Sequence, residues 1–283
     1  MIDAPTEYRP LLLHLAYHLL GSMSLAEDIV QEISLQWLRL DSQQIDSPKA
    51  YLSRMTVNRA LDQLRRAKRE REEYPGPWLP EPVLEPTWEP DLDTLSLAVL
   101  HLMERLDPYE RLVYMLRECF DWEYEAIASL IDKRSANCRQ ILSRAKSKLQ
   151  LGKARYQVDA QALQQLSLAF LAASQNADYG PLRQLFSQEI QLLSDGGGKV
   201  VAARKPILGV NNCLKFLQGI QKQLTTENQM ELRFLHGDWS ICLWEGEQLA
   251  SIMVASWQEG QIYRLLSYRN PDKLSLIQTQ LRA

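Results

Sequence analysis

The sequence contains no run of 18 apolar residues, so no segment is expected to span a membrane. Cysteine is scarce. Cys119, Cys138, Cys213 and Cys242 stand far apart and form no metal-type pair, which excludes a disulfide-dense scaffold and a short zinc module. Cys119 and Cys138 fall on helical apolar patterns, so reduced cysteines in cytosolic cores are expected. Histidine is scarce too. His14 and His18 are four apart but lack the glutamate of a metalloprotease motif, so helix packing or a surface position is expected rather than metal. No metal and no cofactor is predicted. The first residues lack a basic stretch, an apolar run and a small-residue cleavage site, so no signal peptide is expected and the location is read as cytoplasmic. No internal repeat is visible.

What is present is enough for real cores. Apolar residues make up 46% of 283, which excludes wholesale disorder and suggests two or three domains. The charge is uneven. From Lys133 to Arg155 there are eight Lys/Arg and no Asp or Glu, and Arg54–Arg71 holds seven Lys/Arg against Asp62 and Glu70. With a chain total of −3, the remainder carries −16. Two cationic strips in an otherwise acidic chain point to two contacts with a polyanion, most simply two places on one DNA.

Residues 1–74 read as helical. Leu11, Leu12, Leu15, Ala16, Leu19 and Leu20 follow helical spacing, and Gly21 ends the run. Ser24–Glu27 has the pattern of a capping box opening a second helix. On it Leu25, Ile29, Ile33 and Trp37 form an apolar stripe, and Asp28, Gln31, Glu32 and Gln36 a polar one. Ser47-Pro48 predicts a cap with proline at the first helical position, opening a third helix to about Glu72. Pro75–Pro90 holds six of the thirteen prolines, which excludes regular helix or central strand. It is read as a semi-rigid linker over 75–93. Trp78 and Trp88 within it predict docking on a neighbouring domain, while Glu81, Glu85, Glu89 and Asp91 read as solubilising. Residues 94–152 are helical again.

From 157 to 283 the pattern changes. Gln161–Ser174 and Pro206–Leu224 read as helices. Glu189–Leu193, Val200–Ala203, Met230–Leu235, Ser240–Trp244, Ala250–Trp257 and Gln261–Tyr268 read as strands. Turn signals at Asp195–Gly198, Glu245-Gly246 and Glu259-Gly260 separate some of them. Helices followed by a strand meander predict a small α+β domain.

Trp122–Leu149 reads as two short helices joined by a tight turn, the form of a helix-turn-helix. Cys138, Ile141, Leu142, Ala145 and Leu149 recur at helical spacing and are predicted to face inward. Ala136, Gln140 and Ser143 project the other way, flanked by Arg139 and Arg144. Arg and Gln side chains read guanine and adenine edges through paired hydrogen bonds. Lys133, Arg134, Lys146 and Lys148 are better placed for phosphates. On the third helix Tyr51, Arg54, Asn58, Asp62, Arg65 and Arg69 share one face, and Val57, Leu61 and Leu64 another. Stacking combined with cationic contacts holds unpaired bases. A solvated face with an Asp62–Arg66 ion pair is the alternative for that strip.

With both strips in view, the chain resembles an extracytoplasmic-function sigma factor of bacterial RNA polymerase. Tyr8-Arg9-Pro10 and Ala26–Glu32 are similar to the first segment of that family's first domain. Ser47–Leu52 and Asn58–Arg65 are similar to its −10 reader. Leu106–Arg111 and the helix-turn-helix are similar to its −35 reader. Trp78-Leu79-Pro80-Glu81-Pro82, Asp195-Gly196-Gly197-Gly198-Lys199 and Asn270-Pro271-Asp272-Lys273-Leu274 resemble signatures of the subgroup with a SnoaL-like C-terminal extension. The resemblance implies two all-α sigma domains followed by an α+β SnoaL/NTF2-like, cone-shaped domain.

It also implies roles. Asp28, Gln31 and Glu32 would touch core RNA polymerase. Arg54, Asn58, Asp62, Arg65 and Arg66 would lie at melted −10 DNA, and Arg139, Gln140, Ser143, Arg144 and Lys146 at −35. Trp78–Pro82, Asp195–Gly198 and Asn270–Lys273 would form a regulatory contact of the extension. Two departures stand out: Asp132 occupies a turn position where the family usually has Gly, and Arg134 one often held by a capping Ser, with Ser135 as an alternative cap.

The expected partners are core RNA polymerase and promoter DNA, with a small-molecule ligand conceivable in the pocket of the extension. For a general base there, Asp178, Asp195 and His236 are loose candidates without a recognisable spacing, and no catalysis is expected. Two other readings use the same residues: a one-component helix-turn-helix regulator with a ligand-sensing domain, and a SnoaL-like isomerase or cyclase with accessory DNA-binding parts.

Overall fold

In a computed structural model of the chain, the structure describes residues 4–40, 45–84, 97–149, 165–166, 168–170, 172–173, 176–222, 228–235 and 238–282. The domain edges expected near 94, 152 and 157, together with Trp88, Glu85, Glu89, Asp91, His236 and parts of the helix expected at 161–174, lie outside the described residues. The chain divides into two compact units, one made of 1–73 with 85–153, the other of 74–84 with 154–283.

The first unit is all helix among the described residues. Its apolar spacing buries Leu12, Leu15, Leu19 and Leu20 along α1 (Ala4–Leu20), and Gly21 ends that helix at φ 68°. The next helix, α2 (Met23–Trp37), is capped by Ser22, whose hydroxyl accepts from Leu25 N. The Ser24 capping box is therefore corrected: Ser22 holds the extended backbone a cap needs, at φ −134°. Helix α3 (Pro48–Glu72) starts as expected, with the Ser47 hydroxyl accepting from Ala50 N.

Among the described residues four helices follow: α4 (Leu97–Met103), α5 (Pro108–Glu118), α6 (Tyr124–Leu130) and α7 (Ser135–Leu149). A reciprocal capping box between Asp107 and Glu110 opens α5. Asp132 sits in the turn before α7 at φ 52°. Arg134 O accepts from Asn137 N and Cys138 N, which makes Arg134 the capping position and Ser135 the first helical residue.

A polar joint ties α1 and α3 to α4 and α5. Arg111 is 1% exposed and donates from Nε and Nη2 to His18 O at 3.4 and 3.2 Å. It pairs with Glu104, which also pairs with Arg71. Burial alone would raise the Glu104 carboxyl, but Arg111 and Arg71 outweigh it and hold the pKa low. His14 and His18 are fully buried, stacked at 4.0 Å, with the Phe120 ring edge-on to His14 at 4.8 Å. Burial pulls the His18 pKa down to about 3. The two histidines are packing residues.

The second unit is built on a six-stranded mixed sheet in the order β2-β1-β6-β5-β4-β3. Its strands are β1 (Phe186–Asp195), β2 (Ile207–Leu208), β3 (Asn228–Leu235), β4 (Asp238–Glu245), β5 (Gln248–Gln258) and β6 (Gln261–Tyr268). Strands β3 to β6 form the antiparallel meander, and β6 then pairs parallel with β1. The helices of this unit include α8 (Gly180–Leu185), α9 (Val210–Gln221) and α10 (Pro271–Arg282), and helical residues between 165 and 176 put Leu166, Ala169 and Ala173 into its core. Phe186, Ile190, Leu192, Cys213, Leu214 and Leu265 share one core on the α9 face, and α10 packs on β5.

Two readings are corrected here. Val200–Ala203 is not a strand: it follows a tight turn, and Val201 is 80% exposed with nothing to bury against. The helix expected from Pro206 begins at Val210, because Ile207–Leu208 pairs with β1 first. The first unit is all-α among the described residues and the second is α+β, a mixed sheet with helices against it, as the sequence pattern predicts.

Candidate nucleic-acid interface and linker clasp

Helix α7 separates its two faces cleanly. Cys138, Ile141, Leu142, Ala145 and Leu149 are buried, and Ala136, Arg139, Gln140, Ser143, Arg144 and Lys146 are exposed. The exposed groups combine guanidinium, amide, hydroxyl and ammonium on one surface. Some are tied within the protein: Arg139 lies over the Tyr124 ring at 4.8 Å and 3.8 Å from Glu125, Lys146 pairs with Glu118 and Lys148 with Glu110.

Helix α3 shows the same division. Tyr51, Arg54, Asn58, Asp62, Arg65 and Arg66 are exposed, while Leu52, Val57, Leu61 and Leu64 are buried. Asp62 pairs with Arg65 at 2.9 Å, one residue closer in sequence than the Asp62–Arg66 pair weighed from spacing. Arg65 also donates to the Tyr109 hydroxyl at 3.1 Å. Lys133 stacks on the same ring at 4.8 Å. Tyr109 thus joins the two basic strips.

On α2, Asp28 and Gln31 are exposed and Glu32 is half-buried, held by Arg59 of α3 and by Gln36 Nε2 at 3.1 Å. Nothing in linear spacing marks Arg59 or Tyr109, because their partners lie 27 and 44 residues away.

The second unit gathers the three motifs that lie far apart in sequence. Asp195 is 1% exposed. Its carboxylate accepts from Tyr74 Oη at 2.6 Å, Leu79 N at 3.0 Å, Gly197 N at 3.1 Å and Lys273 Nζ at 2.7 Å. Lys273, 7% exposed, also donates to Leu79 O and lies 4.1 Å from the Trp78 ring centre. Asn270 caps α10, its Oδ1 accepting from Asp272 N, while its Nδ2 donates to Tyr74 Oη at 3.0 Å. Lys199 pairs with Asp272 at the surface.

Glycine is required in this loop. At Gly197 (φ 61°) a Cβ would stand 2.4 Å from Asn270, and at Gly198 (φ 73°) 2.8 Å from Pro75. Leu79, Pro80 and Pro82 are buried, and Trp78, Glu81, Gly197 and Pro271 are half-buried, with Gly196 beneath them. Tyr74 was not singled out from the sequence, since nothing in linear spacing relates 74 to 195. Its hydroxyl pKa is raised, first by burial and then by the bond to Asp195.

The second unit holds a partly open, mainly apolar cavity, about 80 Å³, walled by Phe170, Leu182, Leu217, Ile241 and Met253, with polar groups that include Tyr179, Gln221, Glu245 and Arg269. Tyr179 Oη donates to Gln221 at 2.6 Å. Asp195 is not in its wall, and Asp178 is exposed and accepts from Gly180 N in a local turn. Among the described residues no group of three or more His, Cys, Asp or Glu is placed to hold a metal ion, and no helix is long and apolar enough to cross a membrane.

Residues 6–70 match the family Sigma-70 region 2, and residues 96–149 match Sigma-70, region 4. Helical domains of these two kinds, the second carrying an exposed basic helix after a tight turn, define a sigma factor of the sigma-70 class. The relative "ECF RNA polymerase sigma factor SigJ" of Mycobacterium tuberculosis is 30% identical over 74% of this chain and 69% of its own. "Probable ECF RNA polymerase sigma factor SigI" of the same organism is 26% identical over 97% of this chain and 94% of its own. The crystal structure of Mycobacterium tuberculosis SigJ superimposes with a TM-score of 0.75 at 26% identity, covering 95% of this chain and 96% of that one. The chain belongs to the ECF RNA polymerase sigma factors.

Proposed function

We infer that this sigma factor binds core RNA polymerase and directs transcription initiation at a promoter, acting in the cytoplasm, with its C-terminal domain as a regulator rather than an enzyme. The observation that carries the reading is the pair of exposed basic faces on α3 and α7, inside the two segments that match sigma regions 2 and 4. Each face puts guanidinium groups beside an amide, the chemistry of base and phosphate contact.

In this reading Arg139, Gln140, Ser143, Arg144 and Lys146 contact the −35 duplex. Arg54, Asn58, Asp62, Arg65 and Arg66 receive melted −10 bases, and Asp28, Gln31 and Glu32 meet the polymerase. Receiving a flipped base offsets an unstacking cost of a few kcal/mol. Two modest readers at a fixed spacing gain discrimination through effective concentration. Arg65, held by Asp62 and Tyr109 in the free chain, has to exchange these partners for DNA. That favours weak DNA binding by the factor alone.

The clasp around Asp195 is the regulatory element in this reading. It fixes Tyr74–Leu84, the segment that follows α3, onto the C-terminal domain, and through it the domain tunes polymerase affinity. The cavity is a place for a small ligand of mainly apolar character, since aliphatic and aromatic side chains make most of its wall.

The deciding experiment is transcription in vitro with purified core polymerase. Charge reversal at Arg65 and at Arg139 should each abolish promoter-dependent initiation, and Asp195→Asn should change output without abolishing it. Unchanged initiation by both reversals would refute the assignment. Tight, specific operator binding without polymerase would favour a one-component regulator instead.

A further inference from the structure

Strand β3 is the last strand of the sheet, with β4 its only strand neighbour among the described residues. Exposed edges are usually blunted by proline, lysine, a bulge or a short length. This one is eight residues long, Asn228–Leu235, without proline or lysine. Its register with β4 runs through eight residue pairs without a shift, whereas the β1–β6, β4–β5 and β5–β6 ladders all carry one.

The side chains are also unusual for an edge. Met230, Leu232 and Phe234, at alternate positions and so on one face, are 37%, 36% and 48% exposed. Glu231 and Arg233 share the other face, bonded to each other at 2.9 and 3.1 Å.

The strand is self-complementary about Leu232. When a second β3 lies antiparallel with Leu232 opposite Leu232, Glu231 falls opposite the other copy's Arg233 and Met230 opposite its Phe234. Opposite charges and apolar pairs at directly facing positions each stabilise an antiparallel ladder, and both apolar triplets then lie on one side of the sheet. The match exists only in this register: a one-residue slip turns each apolar residue toward the opposite face, and a two-residue slip sets Glu231 against Glu231 or Arg233 against Arg233. A twofold pairing of like surfaces is the common form of homodimer.

We propose that the protein dimerises through β3, joining two six-stranded sheets edge to edge across a twofold axis at Leu232. Main-chain hydrogen bonds along the strand supply the affinity and the Glu231–Arg233 pairs the register. Met230 also lines the cavity, so the other copy's Phe234 comes to its rim, and the two cavities open side by side. The proposal is independent of the role assigned to the basic helices.

The test is the mass of the full-length chain by size-exclusion chromatography with light scattering, over a dilution series. A species of twice the 32.6 kDa chain mass is expected, dissociating on dilution. Leu232→Lys places two ammonium groups against each other on the axis and should give monomer with an unchanged circular-dichroism spectrum.

A cysteine trap keeps the test sound if that variant misfolds. Directly facing residues have Cα atoms about 4.5–5.5 Å apart, within disulfide reach. Under mild oxidation Leu232→Cys should therefore cross-link as a dimer well beyond the native chain. Met230→Cys and Phe234→Cys should cross-link when mixed but not singly, since two copies of either are about 13 Å out of register. A chain that is monomeric at every concentration overturns the proposal. So does a dimer unaffected by Leu232→Lys, or a Leu232→Cys chain that cross-links no more than the native one.

Discussion

Replacing Lys273 by Met removes one charge from the clasp and nearly preserves its shape. Asp195 is then a carboxylate 1% exposed, still bonded to Tyr74, Leu79 N and Gly197 N but without its counter-charge. Breaking a buried pair by removing one partner costs about 3–5 kcal/mol. The three remaining donors place this case at the lower end, about 3 kcal/mol. Asp195→Asn leaves the opposite orphan, an ammonium 7% exposed beside Leu79 O and the Trp78 ring, at a similar cost.

The double variant carries neither charge and should lose less than the two singles together, with a coupling of about 2 kcal/mol or more. Hydrogen exchange of Tyr74–Leu84 reads the clasp directly, because local opening sets the rate. A loss of about 3 kcal/mol corresponds to roughly 100-fold faster exchange there. Urea unfolding of the C-terminal unit supplies the double-mutant cycle. If the two substitutions add within about 0.5 kcal/mol, or if 74–84 keeps its protection in Lys273→Met, the buried pair does not hold the linker.

Three further outcomes follow from the same geometry. Gln140→Ala should weaken transcription from a promoter with its cognate −35 element by about 1–3 kcal/mol, yet change little when the base it reads is altered; an equal loss on all sequences would make it a phosphate contact. Asp132 stands at φ 52°, so Asp132→Gly should leave the melting temperature equal or higher, whereas Asp132→Val should destabilise the first unit by about 1–2 kcal/mol. Acid should loosen that unit through His18. Its folded pKa is about 3 against an ordinary 6.5, so stability is full above about pH 6.5 and falls toward pH 3, as the unfolded chain binds a proton that the folded one refuses. Glu104, also held low, acts in the same direction at the acid end, and Arg111 opposes His18 charging throughout. Chemical denaturation at stepped pH values would show this, and His18→Asn should flatten the upper part of the slope.

The helices and their faces were legible because helical period is a local property. Leu12, Leu15 and Leu19 on α1, and Cys138, Ile141, Leu142, Ala145 and Leu149 on α7, lie three, four or seven apart, so burial on one side leaves Gln140 and Arg139 on the other. The turn at Asp132 was marked only through the family resemblance, where glycine is usual, and its φ of 52° fits that position. Sequence alone also placed the meander strands, by alternation and glycine turns. It misread Val200–Ala203, whose β-branched composition suggested a strand where no neighbour offers a ladder.

Contact between distant segments was decided by tertiary structure. Asp195 lies 121 residues from Tyr74 and 78 from Lys273, and no periodicity relates them. Only the packed domain makes one buried carboxylate the acceptor for both. The same holds for Arg111, an exposed-type residue by composition that is 1% exposed because Glu104 and the His18 carbonyl satisfy it. It holds as well for Tyr109, which lies against Arg65 of α3 and Lys133 of the turn before α7. Local pattern sets which face of an element is apolar. Which charges can be buried depends on counter-charges and carbonyls that the chain delivers only once it has folded.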